Sequence, residues 1–122
     1  MRKIAIIEDD ESVRLLYQMK LEKEGFEVAV ARDGVEGIEV VKSFNPDLIL
    51  LDLMLPQLSG DQALAKIRNE PWGKTVKVVV MTNLTEESMP PILRELGVSY
   101  FVVKALYTPA QLVQVVKRVL AA

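Results

Sequence analysis

The chain contains no cysteine and no histidine. The first absence removes disulfides, thiolate nucleophiles and sulfur-bound zinc, and makes an intracellular setting the simplest expectation. The second removes Ser-His hydrolysis, imidazole metal ligands and any role as a histidine phosphocarrier. Carboxylate, hydroxyl and amine chemistry remain. Long apolar runs are missing too: none approaches the ~20 residues needed to cross a bilayer, and after Met1-Arg2-Lys3 the apolar stretch Ile4 to Ile7 gives way to acids. This opening predicts a strand, not a leader peptide, and a cytoplasmic location. Neither charge sign is in large excess. The 15 basic and 17 acidic residues are mixed along the sequence, for a net charge of -2, so no basic face recommends nucleic acid or anionic lipid as a partner.

What is present is a globular composition, 50% apolar against 26% charged. Residues 1–122 fit a single domain, one that removes roughly two-thirds of its unfolded surface from water. Two apolar runs end in acid. Ile4-Ala5-Ile6-Ile7 meets Glu8-Asp9-Asp10, and Leu48-Ile49-Leu50-Leu51 meets Asp52. Such runs read as buried parallel strands, so the acids sit at their carboxyl ends. In open parallel sheets ligands bind outside those ends, where the strand order reverses, and acids converging there make a cation site.

The rest of the chain alternates in the same way. Lys3 to Ile7 reads as the first strand, and Glu11 to Glu24 as a helix with an apolar stripe of Val13, Leu16, Tyr17, Met19, Lys20 and Leu21, stopped at Gly25. Phe26 to Val30 is a shorter strand, and Asp33 with Glu36 has capping-box spacing for a helix to Ser43. Pro46 to Leu51 is the third strand, followed by a Pro56 to Gly60 turn and a helix from Ser59 and Gln62 to Asn69. Pro71 to Gly73 reads as a loop, Val76 to Met81 as the fourth strand, Pro90 to Leu96 as a short helix stopped by Gly97, and Ser99 to Val103 as the fifth strand. Thr108-Pro109-Ala110-Gln111 opens the last helix, whose buried face is Leu112, Val115, Val116, Val119 and Leu120. Strands alternating with helices imply a doubly wound α/β fold, a flavodoxin-like three-layer sandwich with strand order 2-1-3-4-5. That order leaves Phe26 to Val30 on the outside.

Thr82 follows the fourth strand and Lys104 the fifth, so a hydroxyl and an ammonium stand beside the acids. A carboxylate nucleophile attacking phosphorus needs a divalent cation, an ammonium for the phosphoryl oxygens and a hydroxyl donor for the developing charge. At these residues the sequence resembles the receiver domain of two-component response regulators, from Lys3 to Leu120. The resemblance implies that Asp52 accepts phosphate from a phosphohistidine on a sensor histidine kinase or a histidine phosphotransfer protein. It implies that Mg²⁺ is held by Asp9, Asp52, the backbone carbonyl of Met54 and, through water, Glu8. Thr82 and Lys104 would bind the phosphoryl oxygens, and Phe101 takes the position of the family's aromatic switch, turning inward as Thr82 moves toward the phosphate. Such a chain is a phosphoacceptor that assists its own reactions, not a turnover enzyme. It acts on a downstream protein effector, as a monomer or weak dimer, without touching nucleic acid or membrane directly.

Several residues depart from the family pattern. Ala105 stands where a proline usually follows the lysine, which predicts a trans Lys104-Ala105 bond and a shifted loop, because a cis bond without proline costs ~3–4 kcal/mol. Pro90-Pro91 predicts a fourth helix that starts late and is short. Met54 and Leu84, two bulky apolar residues beyond Asp52 and Thr82, predict exclusion of attacking water and slow self-dephosphorylation. Ala105 and the prolines also support an alternative, a receiver-like interaction platform that works without phosphorylation. The carboxylate that aspartate-nucleophile phosphatases carry two residues after the nucleophile is replaced by Met54. A flavodoxin-like electron carrier would need glycine and hydroxyls where the first strand runs into acids.

Overall fold

A computed structural model of the protein describes residues 2–122. Five parallel strands, β1 (Lys3–Ile7), β2 (Glu27–Ala31), β3 (Leu48–Leu51), β4 (Lys77–Thr82) and β5 (Tyr100–Val103), form one sheet in the order β2-β1-β3-β4-β5. Five helices connect or follow them: α1 (Glu11–Lys23), α2 (Gly34–Phe44), α3 (Gly60–Arg68), α4 (Ile92–Glu95) and α5 (Pro109–Ala121). This is the anticipated doubly wound topology, and the predicted strands and helices recur with ends displaced by at most two residues. Helices cover both faces of the central strands, which is why those strands are apolar without alternation. Ile4 to Ile7, Leu48 to Leu51 and Val78 to Met81 are all fully buried. Burial of each Leu, Ile, Val or Met side chain is worth ~1.5–3 kcal/mol.

The period of two divides these residues between two cores. Ile4, Ile6, Leu48, Leu50, Val79 and Met81 pack against Tyr17 and Leu21 of α1 and Leu112 and Val116 of α5. Ala5, Ile7, Ile49, Leu51, Val78 and Val80 pack against Val41 of α2, Leu64 and Ile67 of α3 and Leu93 of α4. The strand ends are level: Ile7 pairs with both Ala31 and Leu51, Leu51 with Val80, and Thr82 with Val103. Acids, hydroxyl and ammonium are thereby delivered to one edge.

Two expectations are corrected. The buried stripe of α1 is Val13, Tyr17 and Leu21, spaced by four, whereas Leu16 and Met19 are exposed at 42% and 67%, and Lys20 is exposed too. Leu16 and Met19 lie off that line on a helix of 3.6 residues per turn. The Asp33–Glu36 capping box is only half formed: Asp33 accepts from the Glu36 amide at 2.8 Å, but the Glu36 carboxylate turns back to the Arg32 amide at 3.2 Å. Helix α4 starts late and is short, as the two prolines predict: it is four residues long, from Ile92, with Pro91 as its N-cap. Pro91 disfavours helical backbone at the residue before it, Pro90, which keeps the helix from starting earlier.

Candidate functional site

Each acid is placed by a strand that has just ended. The Glu8 amide donates to Ala31 O and the Asp52 amide to Ile7 O, both at 3.0 Å, so the sheet's hydrogen bonding continues one residue into the site. Glu8 is fully buried and Asp52 is 3% exposed, whereas Asp9 faces solvent. Asp10 caps α1 through the Val13 amide at 3.2 Å, the structural role that its position before the helix suggests. Lys104, at the end of β5, places Nζ between Glu8 Oε1 and Asp52 Oδ2, with the latter contact at 3.0 Å. The remaining oxygens are also partnered: Asp52 Oδ1 accepts from the Met54 amide and Glu8 Oε2 from the Asp10 amide, each at 3.1 Å.

Burial pushes the Glu8 carboxyl up to about 7; the hydrogen bonds from Lys104 and the Asp10 amide oppose this, and the Asp52 charge adds to it. Burial also works against the Lys104 ammonium, but its bonds to Glu8 and Asp52 outweigh that and raise its pKa. The centre is thus an acid pair bridged by a cation, with a third carboxylate at its mouth. Oxygens of Glu8, Asp9 and Asp52 lie within 4.8 Å of one another. Mg²⁺ takes oxygen ligands at ~2.1 Å in an octahedron, so adjacent ligands stand ~3 Å apart and opposite ones ~4.2 Å. Small side-chain rotations bring this hard-oxygen set into that range, and the residues fit the ion.

A pH dependence follows. A cation at these acids favours ionised Glu8, so Mg²⁺ affinity should weaken as pH falls through about 7, by at most about tenfold per pH unit for one linked proton. Titration calorimetry in two buffers of different ionisation enthalpy should register proton release on the acid side of that value. An affinity that stays flat from about pH 6 to 8 contradicts the linkage.

Thr82 and Met54 join the same edge, whereas Phe101 lies within β5, away from it. Thr82 is fully buried and its Oγ1 accepts from the Leu84 amide at 3.3 Å. Met54 directs its amide to Asp52, while its side chain is 62% exposed and stands at the mouth of the site. Phe101 is half-buried on the α4 side, where with Met89, Pro90, Pro91 and Leu93 it lines a groove of about 350 Å³. The Lys104-Ala105 bond is trans, no cis peptide occurring among the described residues, and Lys104–Leu106 forms a single 3-10 turn. Lys104 reaches both acids from that turn.

Two neighbours were not evident from sequence. Arg14, which reads as part of a solvated helix face, is half-buried and donates to Glu8 O at 3.1 Å. Its position one turn after Asp10 was the available signal. Tyr17 lies deeper, its hydroxyl pKa raised by burial and touched by the charges of Lys104, Glu8 and Asp52. It shared its apolar periodicity with ordinary core residues.

Comparison with known proteins agrees with this geometry. The family model for the response regulator receiver domain matches residues 4–117. The alkaline phosphatase synthesis transcriptional regulatory protein PhoP of Bacillus subtilis is 32% identical over 120 residues, covering 98% of this chain and 48% of that protein. The chain spans about half the length of the curated relatives it matches. Among solved structures, the BeF3-activated N-terminal receiver domain of Klebsiella pneumoniae RstA superposes with TM-score 0.86 at 30% identity, covering 99% of this chain and 100% of that one. The Mn²⁺-bound form of response regulator Rcp1 gives 0.80 at 29% identity, covering 96% and 92%. A matching family model over nearly the whole length, on a sheet that gathers Glu8, Asp9, Asp52, Thr82 and Lys104 at one edge, assigns this chain to the response regulator receiver domains.

Proposed function

We propose that this receiver domain is a Mg²⁺-dependent phosphoacceptor in which Asp52 takes a phosphoryl group from a phosphohistidine on a sensor histidine kinase or histidine phosphotransfer protein. The observation that carries the reading is the convergence of three carboxylates within 4.8 Å, with Lys104 Nζ bonded to two of them. In the reaction a carboxylate oxygen of Asp52 attacks phosphorus, the new O–P bond forms as the N–P bond breaks, and the electron pair leaves with the donor imidazole. Asp9, Asp52, the Met54 carbonyl and, through water, Glu8 would hold Mg²⁺, which would supply positive charge against the phosphoryl oxygens. Lys104 exchanges carboxylate for phosphoryl oxygen, and the Thr82 hydroxyl donates to the same group. The donor is the partner's residue, so the chain is consumed as acceptor and regenerated by hydrolysis; it is not a turnover enzyme.

The switch is a shift between two conformations, with Thr82 drawn toward the acyl phosphate and Phe101 following it inward. The groove beside Phe101 lies on the surface that we read as facing the downstream protein effector. Met54 and Leu106, 62% and 74% exposed in the loops after β3 and β5, offer the phosphodonor apolar contact near the acids. We take the chain to act in the cytoplasm as a monomer or weak dimer. Its own output is a protein contact, although relatives matched over about half their length are named as transcriptional regulators.

Intact mass after treatment with acetyl phosphate or beryllofluoride tests the assignment. One adduct that forms only with Mg²⁺ and fails to form when a chelator is present from the start supports it; an unmodified protein at saturating reagent favours a phosphorylation-independent platform. Leu84 and Met54, two residues beyond Thr82 and Asp52, put apolar side chains where a polar one could orient an attacking water, so the acyl phosphate of the purified protein should persist for minutes or longer. Loss within seconds would contradict that expectation.

A further inference from the structure

The loop between β3 and α3 is seated against α2 at a point where a side chain is missing. Gly34 is the first residue of α2, it is buried, and its φ lies outside the left-handed region, so the backbone there does not require glycine. Glycine is also among the poorest helix formers, which makes its presence in a first turn a cost. What requires it is contact. A Cβ at Gly34 would lie 2.3 Å from Leu58 O and 2.9 Å from Leu58 Cβ.

Leu58 cannot yield freely. Its amide donates to Pro56 O at 2.7 Å, closing a three-residue γ-turn around Gln57, whose φ of 67° is unusual for a residue with a side chain. On the far side, Gly60 donates to Leu53 O at 3.0 Å, and a Cβ there would meet Asp52 O at 2.2 Å and Leu53 Cα at 2.8 Å. A push on Leu58 therefore has no slack toward α3. It must travel back through the stiff turn to Met54 and Leu53, next to the phosphoacceptor.

We infer that Gly34 is a positioning residue for the metal and phosphoryl site, setting through Leu58 and the Gln57 γ-turn where the Met54 carbonyl and Asp52 stand. This deepens the proposed function and rests on it for the role of the Met54 carbonyl. Residues that orient metal ligands from outside typically change affinity by about 10–100-fold when altered.

Gly34→Ala is the test, with Gly25→Ala as control. Gly25 has φ of 94° and nothing within 4 Å of its Cβ position, in the α1–β2 turn at the opposite end of the sheet, so its substitution strains the backbone without crowding anything. Amide chemical shifts are compared without metal, and Mg²⁺ dissociation constants are then measured by calorimetry. Gly34→Ala should shift the amides of Leu53, Met54 and Gly60 and raise the dissociation constant about tenfold, whereas Gly25→Ala should do neither at comparable loss of stability. Unshifted loop amides, unchanged Mg²⁺ affinity in Gly34→Ala, or equal weakening in Gly25→Ala overturns the inference. The metal-free shifts register loop positioning apart from any failure of the Mg²⁺ reading itself. Should Gly34→Ala not fold, Gln57→Gly tests the same path, because it frees the turn while relieving its positive φ. A shifted Met54 amide and weaker Mg²⁺ binding with no loss of stability support the inference; an unshifted amide with unchanged affinity overturns it.

Discussion

Asp52→Asn should abolish the Mg²⁺-dependent phosphoryl adduct outright while leaving the domain folded. The amide oxygen is not an anionic nucleophile, and no other carboxylate shares the placement of Asp52, which lies at the end of a central strand with one oxygen on Lys104 and the other on the Met54 amide. Folding survives because Asn keeps an acceptor for Lys104, and Glu8 still pairs with it. Removing the Asp52 charge also removes one of the influences that raise the Glu8 pKa, so the loss of stability should stay within about 1–2 kcal/mol. Intact mass and urea unfolding read the two halves of this prediction. An adduct of equal yield on the variant would place the acceptor elsewhere.

Lys104→Met should have the largest effect on stability. It withdraws the ammonium from between two buried carboxylates, and leaving a buried charge uncompensated costs about 3–5 kcal/mol. Protonation of Glu8 limits that cost, which gives the effect a sign in pH. A carboxyl whose folded pKa is raised binds a proton that the unfolded chain lacks. Its penalty is absent below the ordinary value of 4.5, grows as pH rises toward the folded value, and is complete above it. In the unaltered protein the folded value is about 7, and without Lys104 it should climb higher. The variant should therefore lose stability between about pH 5 and 8 more steeply than the parent, and Mg²⁺ should restore more of it because a cation returns to the acids. Thermal unfolding over that range, with and without Mg²⁺, checks both. Parallel pH profiles, or a variant indifferent to Mg²⁺, would contradict this account of the pair.

The sheet was legible because its signals were redundant. Ile4 to Ile7 and Leu48 to Leu51 are too uniformly apolar for half-exposed strands, and each ends in acid, so topology alone carried Glu8 and Asp52 to one edge. The caps at Thr108 and Asp10 were equally local signals. Less legible were features set by contacts distant in sequence. The Glu8 pKa is raised by the depth of the crevice and held back by hydrogen bonds from Lys104 and the Asp10 amide, none of which periodicity encodes. Arg14 looked solvated because charged side chains on helices usually are, and only the fold brings it to the Glu8 carbonyl. The apolar residues of α1 formed too broad a set to separate Tyr17 and Leu21 from Leu16 and Met19. Gly34 and Gly60 carry no sequence mark that distinguishes close approach from a turn, and the space around each had to be seen.

The central claim is that Asp9 and Asp52 share one divalent cation, and Mg²⁺ titration calorimetry on the unaltered protein, Asp9→Asn and Asp52→Asn tests it most directly. One equivalent of Mg²⁺ bound by the unaltered protein, with affinity lost by a factor of about ten or more in each variant, is the predicted result. No uptake by the unaltered protein, or undiminished binding in Asp9→Asn, would contradict it.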